Sequence, residues 1–393
     1  MVERLQMEDW ISERVRRLPP SGIRKFFDLL NSMEGVISLG VGEPDFATPW
    51  HVAEAGIFGI EQGYTTYTSN YGLPELRAEL ARYLQERYGL EYNPTTELLI
   101  TMGVSEALDL ALRAVVNPGE EVILPDPSFV SYIPCIILAG GHPVPVPTVV
   151  EEEFKLQAGE VERRLTEHTK IILLSYPNNP TGAVMSRSDL LEIAELAKLH
   201  NLLVISDEIY SRLVYGVEHT CFASLPGMKE RTILLGGFSK TYAMTGWRVG
   251  FAAGPAKLIE AMMRVHQYAV MCAPTMSQLA ALEALRNGEE AVRQMVQEYD
   301  RRRRIIVKGL NEIGLPCFEP KGAFYAFPSI RGTGLSSEEF AERLLLEEKV
   351  AVVPGSTFGE CGEGYVRCCY AVSTAEIEEA LERMRRFVAR FGR

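Results

Sequence analysis

The chain has 393 residues and a mass of 43.8 kDa, which is too long for one small core and predicts a large domain with a smaller one. Its 40 Lys and Arg against 52 Asp and Glu give a net charge of −12, which argues against a nucleic acid partner. Seven cysteines without a Cys-x-x-Cys pair, and no apolar run of signal-peptide or membrane-span length, predict a protein of the reducing cytoplasm with no membrane partner.

The middle of the chain alternates short apolar runs with longer amphipathic segments, which is typical of βα units around a largely parallel sheet. An N-terminal arm is expected over residues 1–20, which end in Leu18-Pro19-Pro20. Seven strands are predicted at residues 98–102, 121–125, 142–146, 170–175, 202–207, 232–236 and 248–253. Helices are predicted between them, among others over residues 105–116 and 187–200.

The pattern changes after about residue 285. A charged helix is predicted over residues 288–311, a short strand near 323–327, a helix over 336–349, a strand over 350–353 and a last helix from Thr374. We therefore expect an α/β fold whose large domain, residues 46–285, holds a mostly parallel seven-stranded sheet. Residues 21–45 plus 286–393 are expected to form a smaller α+β domain.

Ligands of open α/β sheets bind outside the carboxyl ends of the strands, so functional residues are expected where the predicted strands end. The run Gly103-Val104-Ser105 follows the first strand and begins a helix. Free backbone N–H groups at a helix start suit a phosphate. A tight turn without any ligand gives the same pattern.

A carboxylate, Asp207, ends the apolar run 202–206. A buried carboxylate is costly unless a cation or several donors accompany it, and a protonated pyridine nitrogen is such a cation. Tyr210 lies one turn further on and can donate to a ring phenolate. An aspartate that caps a helix explains Asp207 equally well. Between two prolines, Asn178-Asn179 can direct one amide toward a ligand, although a structural turn also accounts for each residue singly.

One lysine and one arginine, Lys240 and Arg248, stand eight positions apart in a glycine-containing loop after the strand at 232–236. A lysine of lowered pKa can form a Schiff base with a carbonyl, and an arginine can hold a phosphate at two points. The pair therefore predicts a site for a phosphorylated aldehyde. A surface lysine and arginine on a loop remain the alternative.

In the C-terminal part, Arg367 lies within an otherwise apolar strand and needs an anion, either a substrate carboxylate or a structural partner. Other site classes lack support in the sequence. Pro44 follows Gly40-Val41-Gly42 where a dinucleotide-binding motif needs a helix. The six histidines have no metal-ligand spacing, and no Gly-x-Ser-x-Gly motif occurs.

Taken together, these motifs resemble the class I aminotransferases, which are pyridoxal-phosphate (PLP) enzymes of fold type I. The resemblance runs from Gly22 to the last helix. It rests on Gly-Glu-Pro-Asp at 42–45, Tyr67 with Tyr-Gly-Leu-Pro-Glu-Leu-Arg at 71–77, Asn-Asn-Pro-Thr-Gly at 178–182, Asp-Glu-Ile-Tyr at 207–210, Ser-Lys-Thr-Tyr-Ala-Met-Thr-Gly-Trp-Arg at 239–248 and Tyr-Val-Arg at 365–367.

The resemblance implies a cofactor, PLP, and residues that hold it. Lys240 would form the Schiff base with its aldehyde, and Arg248 would bind its phosphate with the backbone of Gly103 and Val104 and with Ser105.

The resemblance also implies contacts to the cofactor ring. Asp207 would pair with the pyridinium nitrogen, Tyr210 and Asn179 would bond the ring oxygen, and Phe129 would stack on the ring. Lys240, Asp207 and Tyr210 are the expected catalytic residues.

For the substrate, the resemblance implies that Arg367, Asn179 and the backbone of Gly42 bind the α-carboxylate. Tyr67 matches a tyrosine that reaches the phosphate of a neighbouring subunit, so a homodimer with shared active sites is expected. One position departs from the pattern: many relatives have a serine three residues before the lysine, where this chain has Gly237.

The expected function is a ping-pong transamination from an L-amino acid, aspartate or aromatic, to a 2-oxo acid such as 2-oxoglutarate. Ile23, Phe26 and Tyr71 are expected to line the side-chain pocket. A PLP-dependent C–S β-lyase is the enzymatic alternative, since it uses the same lysine, aspartate and arginines. A PLP-binding sensor domain is the non-enzymatic alternative, but the acidic arm is too short for a DNA-binding domain.

Overall fold

The computed structural model describes residues 10–18 and 33–391. Ile23, Phe26 and the greater part of the expected arm lie outside these ranges. The strands are β1 (Ile37–Ser38), β2 (Leu98–Thr101), β3 (Glu121–Asp126), β4 (His142–Pro147), β5 (Thr169–Ser175), β6 (Leu203–Asp207), β7 (Thr232–Gly237), β8 (Gly250–Ala253), β9 (Tyr325–Ala326), β10 (Val350–Ala351), β11 (Val353–Pro354) and β12 (Val366–Cys369).

The α-helices of the same ranges surround these strands. They are α1 (Glu13–Arg16), α2 (Trp50–Glu61), α3 (Pro74–Tyr88), α4 (Gly103–Val115), α5 (Tyr132–Ala139), α6 (Ala158–Glu162), α7 (Arg187–Leu199), α8 (Ala256–Ala269), α9 (Thr275–Asn287), α10 (Glu289–Glu312), α11 (Ser337–Glu348) and α12 (Thr374–Val388).

Seven strands form the large sheet in the order β2-β8-β7-β6-β5-β3-β4. β8 is antiparallel to both of its neighbours, whereas the remaining pairs are parallel. The central strands β6, β7 and β8 are buried and apolar along most of their length because helices cover both faces of the sheet, whereas the edge strand β4 is partly exposed. α4, α5 and α8 pack on one face, and α7 packs on the other. The predicted α/β fold with a mostly parallel seven-stranded sheet is confirmed.

The predicted strand limits agree with the observed ones to within two residues. The last strand begins at Gly250 and not at Arg248, because Arg248 has a φ of +51°, which a strand does not allow. α4 begins at Gly103, two residues earlier than predicted, and ends before Asn117-Pro118-Gly119 as that stop signal indicates.

Two small sheets lie beside the large one. β1 pairs with β10 in parallel, so residues 37–38 join the C-terminal elements. β11, β12 and β9 form an antiparallel sheet. The predicted strand over 350–353 is wrong in one respect: it is two strands, β10 and β11, because the chain passes from one small sheet to the other at Val352.

The carboxyl ends of the parallel strands meet at one edge of the large sheet, where ligands of such sheets bind. Ser175 ends β5 directly beside Asp207, which ends β6, and the two residues are in register. Gly237 ends β7, and in the sheet β7 lies two strands away from β2, the strand that precedes α4.

Three further features concern the whole described chain. All seven cysteines are free thiols. No cluster of potential metal ligands occurs in residues 10–18 and 33–391. The helices of those ranges fall short of the length and apolar character that crossing a membrane requires.

Candidate active site

A cavity of about 280 Å³ opens at the carboxyl edge of the large sheet. Most of the predicted site residues line it together, although they come from distant parts of the chain. They are Gly42, Val104, Ser105, Phe129, Asn179, Asp207, Tyr210, Lys240, Arg248 and Arg367. Lys240 and Arg248 thus line one cavity, although Arg248 is also exposed to solvent.

Lys240 points into this cavity from the loop that follows β7. Its Nζ donates a hydrogen bond to the carbonyl of Gly42 at 2.6 Å and lies 5.8 Å from the centre of the Phe324 ring. Burial lowers the pKa of Lys240 to about 8. About one tenth of the amine is therefore neutral at pH 7, far more than for an ordinary lysine, and the neutral amine is the form that attacks a carbonyl.

The carboxylate of Asp207 is buried at the opposite wall, with 5% of the residue exposed. The hydroxyl of Tyr132 donates to its Oδ2 at 2.9 Å and the N–H of Ile209 donates to its Oδ1 at 3.2 Å. No cationic side chain of the described residues forms an ion pair with it. Burial raises the pKa of Asp207 to about 6, which indicates a carboxylate that a cation in the cavity would stabilise.

Arg248 and the start of α4 form one end of the cavity. Gly103 has a φ of +75°, and a Cβ at this position would lie 2.8 Å from Nη2 of Arg248. Only glycine therefore lets the guanidinium approach the helix start. The N–H groups of the first turn of α4 and the guanidinium then face the same space, which suits an anion such as a phosphate. Val104 and Ser105 line that space.

Arg367 forms a second anion-binding group at the other side. Its Nη1 donates to Oδ1 of Asn179 at 2.9 Å, and its Nη2 donates to the carbonyl of Gly40 at 2.7 Å. Its Nε is buried without a partner among the described residues. Since a buried charged donor is costly when unsatisfied, this atom is suited to bind a carboxylate that enters the cavity.

Three residues of the cavity wall escaped the sequence reasoning. Tyr132 bonds Asp207 and lies 2.7 Å from Oγ of Ser175, and Tyr325 bonds Tyr210. Tyr132 follows Phe129 closely along the chain, at the start of α5, and Ser175 ends the strand beside Asp207. Spacing along the chain could therefore have indicated both. Tyr325 carried no such signal, because it reads as one more apolar residue of a core strand.

Three predicted residues of the described chain, Gly103, Tyr67 and Tyr71, are not among those that line the cavity. Tyr67 is 79% exposed on the surface after α2, and Tyr71 stacks under Arg77. Gly237 ends β7 close to the cavity, and a Cβ there would lie 2.9 Å from Cγ2 of Val104. Val104 thus occupies the space that a serine at 237 would need.

Comparison with known proteins defines the class of this protein: it is an enzyme of amino-group transfer. Residues 34–384 match the family described as Aminotransferase class I and II, and the chain belongs to this family. The family depends on PLP and acts on amino acids and 2-oxo acids.

Individual relatives match over nearly the whole chain. A putative aminotransferase of Bacillus subtilis, YugH, is 59% identical over 97% of this chain and 99% of its own. An aspartate aminotransferase of Pyrococcus abyssi is 50% identical over 95% of this chain and 97% of its own. The crystal structure of an aromatic aminotransferase from Pyrococcus horikoshii superimposes with a TM-score of 0.89 at 49% identity, covering 93% of this chain and 99% of that one.

Proposed function

We propose that the cavity binds PLP and that the protein moves the amino group of an L-amino acid, aspartate or aromatic, to a 2-oxo acid such as 2-oxoglutarate. One observation carries the proposal: a reactive lysine, Lys240, and a buried carboxylate without a cation, Asp207, face the same cavity. The choice of donors follows the relatives, of which one is an aspartate and another an aromatic aminotransferase.

The residues of the cavity fit the cofactor. Bound PLP supplies an aldehyde that condenses with amines and a protonated ring that withdraws electrons. Lys240 is the amine that binds the aldehyde, and Asp207 is the partner of the ring nitrogen. Arg248 with Gly103, Val104 and Ser105 receives the phosphate at the helix start.

The remaining contacts orient the ring. Phe129, held edge-on at 5.6 Å from Tyr132, provides an apolar surface for stacking. Tyr210 would donate a hydrogen bond to the ring oxygen, and Asn179 would be a second donor to it; both residues line the cavity. Tyr132 keeps Asp207 fixed, so the carboxylate meets the ring nitrogen without rearrangement.

The chain's own groups then handle the substrate. Arg367, Asn179 and the backbone of Gly42 bind the α-carboxylate, which places the α-carbon next to Lys240. As a free amine beside the α-carbon, Lys240 would take the α-proton and hold it at Nζ. Its lowered pKa suits this exchange near neutral pH.

The side-chain pocket leaves a question that substrate tests can answer. Among the described residues that line the cavity, the cationic groups are Lys240, Arg248 and Arg367, and each already has a role. A second carboxylate, as in aspartate, would therefore need a partner from elsewhere, either the segment 19–32 or a second subunit. An aromatic donor has no such requirement.

A homodimer with shared sites is part of the proposal. α2 exposes large apolar side chains, with Trp50 at 70% and Phe58 at 54% exposed, and Tyr268 of α8 is 87% exposed. Such a surface is suited to a second copy of the chain. Tyr67 follows α2 along the chain and is 79% exposed, and in such a dimer it would contact the partner's phosphate. Work in the cytoplasm is proposed as well, consistent with seven free cysteines.

The large sheet and the two small sheets correspond to two proposed domains. We propose that residues 46–285 form the cofactor-binding domain, and that residues 21–45 plus 286–393 form the smaller domain. The pairing of β1 with β10 supports the second assignment, because it attaches residues 37–38 to the C-terminal elements.

The test compares Lys240→Ala with Lys257→Ala, a substitution of an exposed lysine on α8. We expect Lys240→Ala to lose both the visible absorption of bound PLP and all turnover, whereas Lys257→Ala keeps both. Retained activity in Lys240→Ala would refute the assignment. A screen of donors against 2-oxoglutarate identifies the substrate. Release of ammonia and pyruvate without a second oxo acid would indicate the β-lyase.

A further inference from the structure

Tyr325 lies where three parts of the proposed site meet. It belongs to β9, is 1% exposed and borders the cavity. It lies outside every motif that carries the family resemblance. Its neighbours are the phenol of Tyr210, the guanidinium of Arg367 and the backbone of Gly42.

The first contact joins two hydroxyl groups. The Oη atoms of Tyr210 and Tyr325 are 2.7 Å apart, and the rings meet edge to face with centres 5.8 Å apart. Each phenol has a single proton. If Tyr210 directs its proton to an acceptor in the cavity, Tyr325 must donate to Tyr210. A donor that itself receives a hydrogen bond is a stronger donor.

The second contact joins the Tyr325 ring to Arg367. The guanidinium carbon lies 4.5 Å from the centre of the Tyr325 ring and 4.8 Å from that of Phe358. The two rings confine the guanidinium. Its Nη atoms donate to Asn179 and Gly40, and its Nε is buried without a partner among the described residues.

The third contact shows how closely Tyr325 approaches the loop that receives Lys240. A Cβ at position 42 would lie 2.3 Å from Oη of Tyr325, so only glycine fits there. The carbonyl of this same Gly42 accepts the hydrogen bond of Lys240. Tyr325 thus packs directly against the glycine whose carbonyl accepts the hydrogen bond of Lys240.

We propose that Tyr325 is a positioning residue with two separable roles: its hydroxyl strengthens Tyr210 as a donor to the cofactor ring oxygen, and its ring holds Arg367 ready for the substrate carboxylate. This inference rests on the proposed function. Tyr325 acts through Tyr210 and Arg367, and it takes no proton from the substrate.

The first role has a spectroscopic consequence. A hydrogen bond to the ring oxygen stabilises negative charge there and so favours loss of the proton from the linkage between Lys240 and the cofactor. Tyr325→Phe weakens this bond without removing it. The pH at which the visible absorption of the bound cofactor changes should rise, but by less than the about 0.5 to 1 unit that complete loss of one ordinary hydrogen bond is worth. Tyr210→Phe removes the bond and should raise it further.

The charged and titratable groups near Tyr325 are few. Tyr210 and Arg367 contact it, and Cys369 faces it across the small sheet. Burial raises the pKa of Tyr325 to about 12, so its hydroxyl stays protonated throughout the titration.

The second role separates from the first by choice of variant. Tyr325→Phe keeps the ring on Arg367, so the KM for the amino donor should stay within about twofold. Tyr325→Leu removes hydroxyl and ring together and should raise this KM about threefold to tenfold. Tyr92→Phe is the control, because it deletes a buried hydroxyl far from the cavity.

The experiment titrates the visible spectrum of the PLP-loaded wild type and of these variants, and measures KM for one donor. If the wild type shows no visible absorption with PLP, the proposed function itself fails. If it does and Tyr325→Phe titrates like Tyr92→Phe, the role of the hydroxyl is refuted. An unchanged KM in Tyr325→Leu would refute the role of the ring. Should Tyr325→Leu fail to fold, Tyr325→Phe still decides the first role, and Phe358→Leu decides whether confinement of Arg367 matters.

Discussion

Replacing Asp207 by Asn should stabilise the protein without cofactor and weaken its hold on PLP. Burial raises the pKa of Asp207 from its usual 3.8 to about 6, a difference of about 2 units. At 1.36 kcal/mol per unit, the ionised carboxylate costs the cofactor-free fold up to about 3 kcal/mol at pH above 6. The amide of Asn avoids this cost. Its oxygen would accept a hydrogen bond from the N–H of Ile209, and its side-chain N–H would donate to the hydroxyl oxygen of Tyr132, whose own proton can then be donated to Oγ of Ser175.

The gain has a defined pH window. A carboxyl group whose pKa is raised by folding destabilises the fold when ionised, so the advantage of Asn is complete above about pH 6. It disappears as the pH falls from about 6 toward 3.8, because the folded carboxyl then becomes protonated. Thermal unfolding of cofactor-free protein, at one protein concentration and at several pH values, measures the difference.

Binding of PLP should respond in the opposite direction. Loss of one partner of a buried charge pair costs about 2–5 kcal/mol, so the Kd for PLP should rise at least about 30-fold. Asp189→Asn is a matched control: although burial opposes it, hydrogen bonds from Ser186 and the charge of Lys155 lower the pKa of Asp189, so this variant should lose stability. If Asp207→Asn also destabilises the cofactor-free protein, or leaves the Kd unchanged, the reasoning about Asp207 is wrong.

Three further predictions concern other residues in or beside the cavity. The rate at which PLP attaches to Lys240 should rise with pH and level off above about 8, because the neutral amine reacts; a rate independent of pH between 6 and 9 in stopped-flow absorbance would contradict this. Arg367→Gln should raise the KM for the donor about tenfold to hundredfold, as steady-state kinetics would show, whereas Arg331→Gln should not. Gly237→Ser should destabilise the protein by about 1–3 kcal/mol in denaturant unfolding, and Val104→Ala should recover part of that loss; a serine without cost would show that the space is not filled.

The large sheet was predictable because its strands are apolar runs bounded by Gly, Pro and Asn, and because helices cover both faces. The small sheets were harder, since their strands have two to four residues and pair with distant segments. β1 is an example: nothing local to Ile37 indicates that it pairs with Val350, more than 300 residues later.

The site divides in a similar way. Lys240, Asp207 and Arg248 were predictable because each is an unusual residue at a strand end or in the loop after one. The tyrosines behind them were not, since Tyr132 and Tyr325 are ordinary core residues until the fold directs their hydroxyls at Asp207 and Tyr210. The position of Gly237 against Val104 likewise depends on the distance between two elements, which spacing along the chain does not contain.

The bond between Arg367 and the carbonyl of Gly40 ties together two segments of the small sheets that are far apart in the chain. In the proposed function, the groups that bind the substrate α-carboxylate thereby lie mainly on one layer, and Lys240 and Asp207 lie on another, with a hydrogen bond from Arg367 to Asn179 between them. A shift of one layer against the other would move Arg367 relative to Lys240, and the hydrogen bond between Arg367 and Asn179 opposes such a shift.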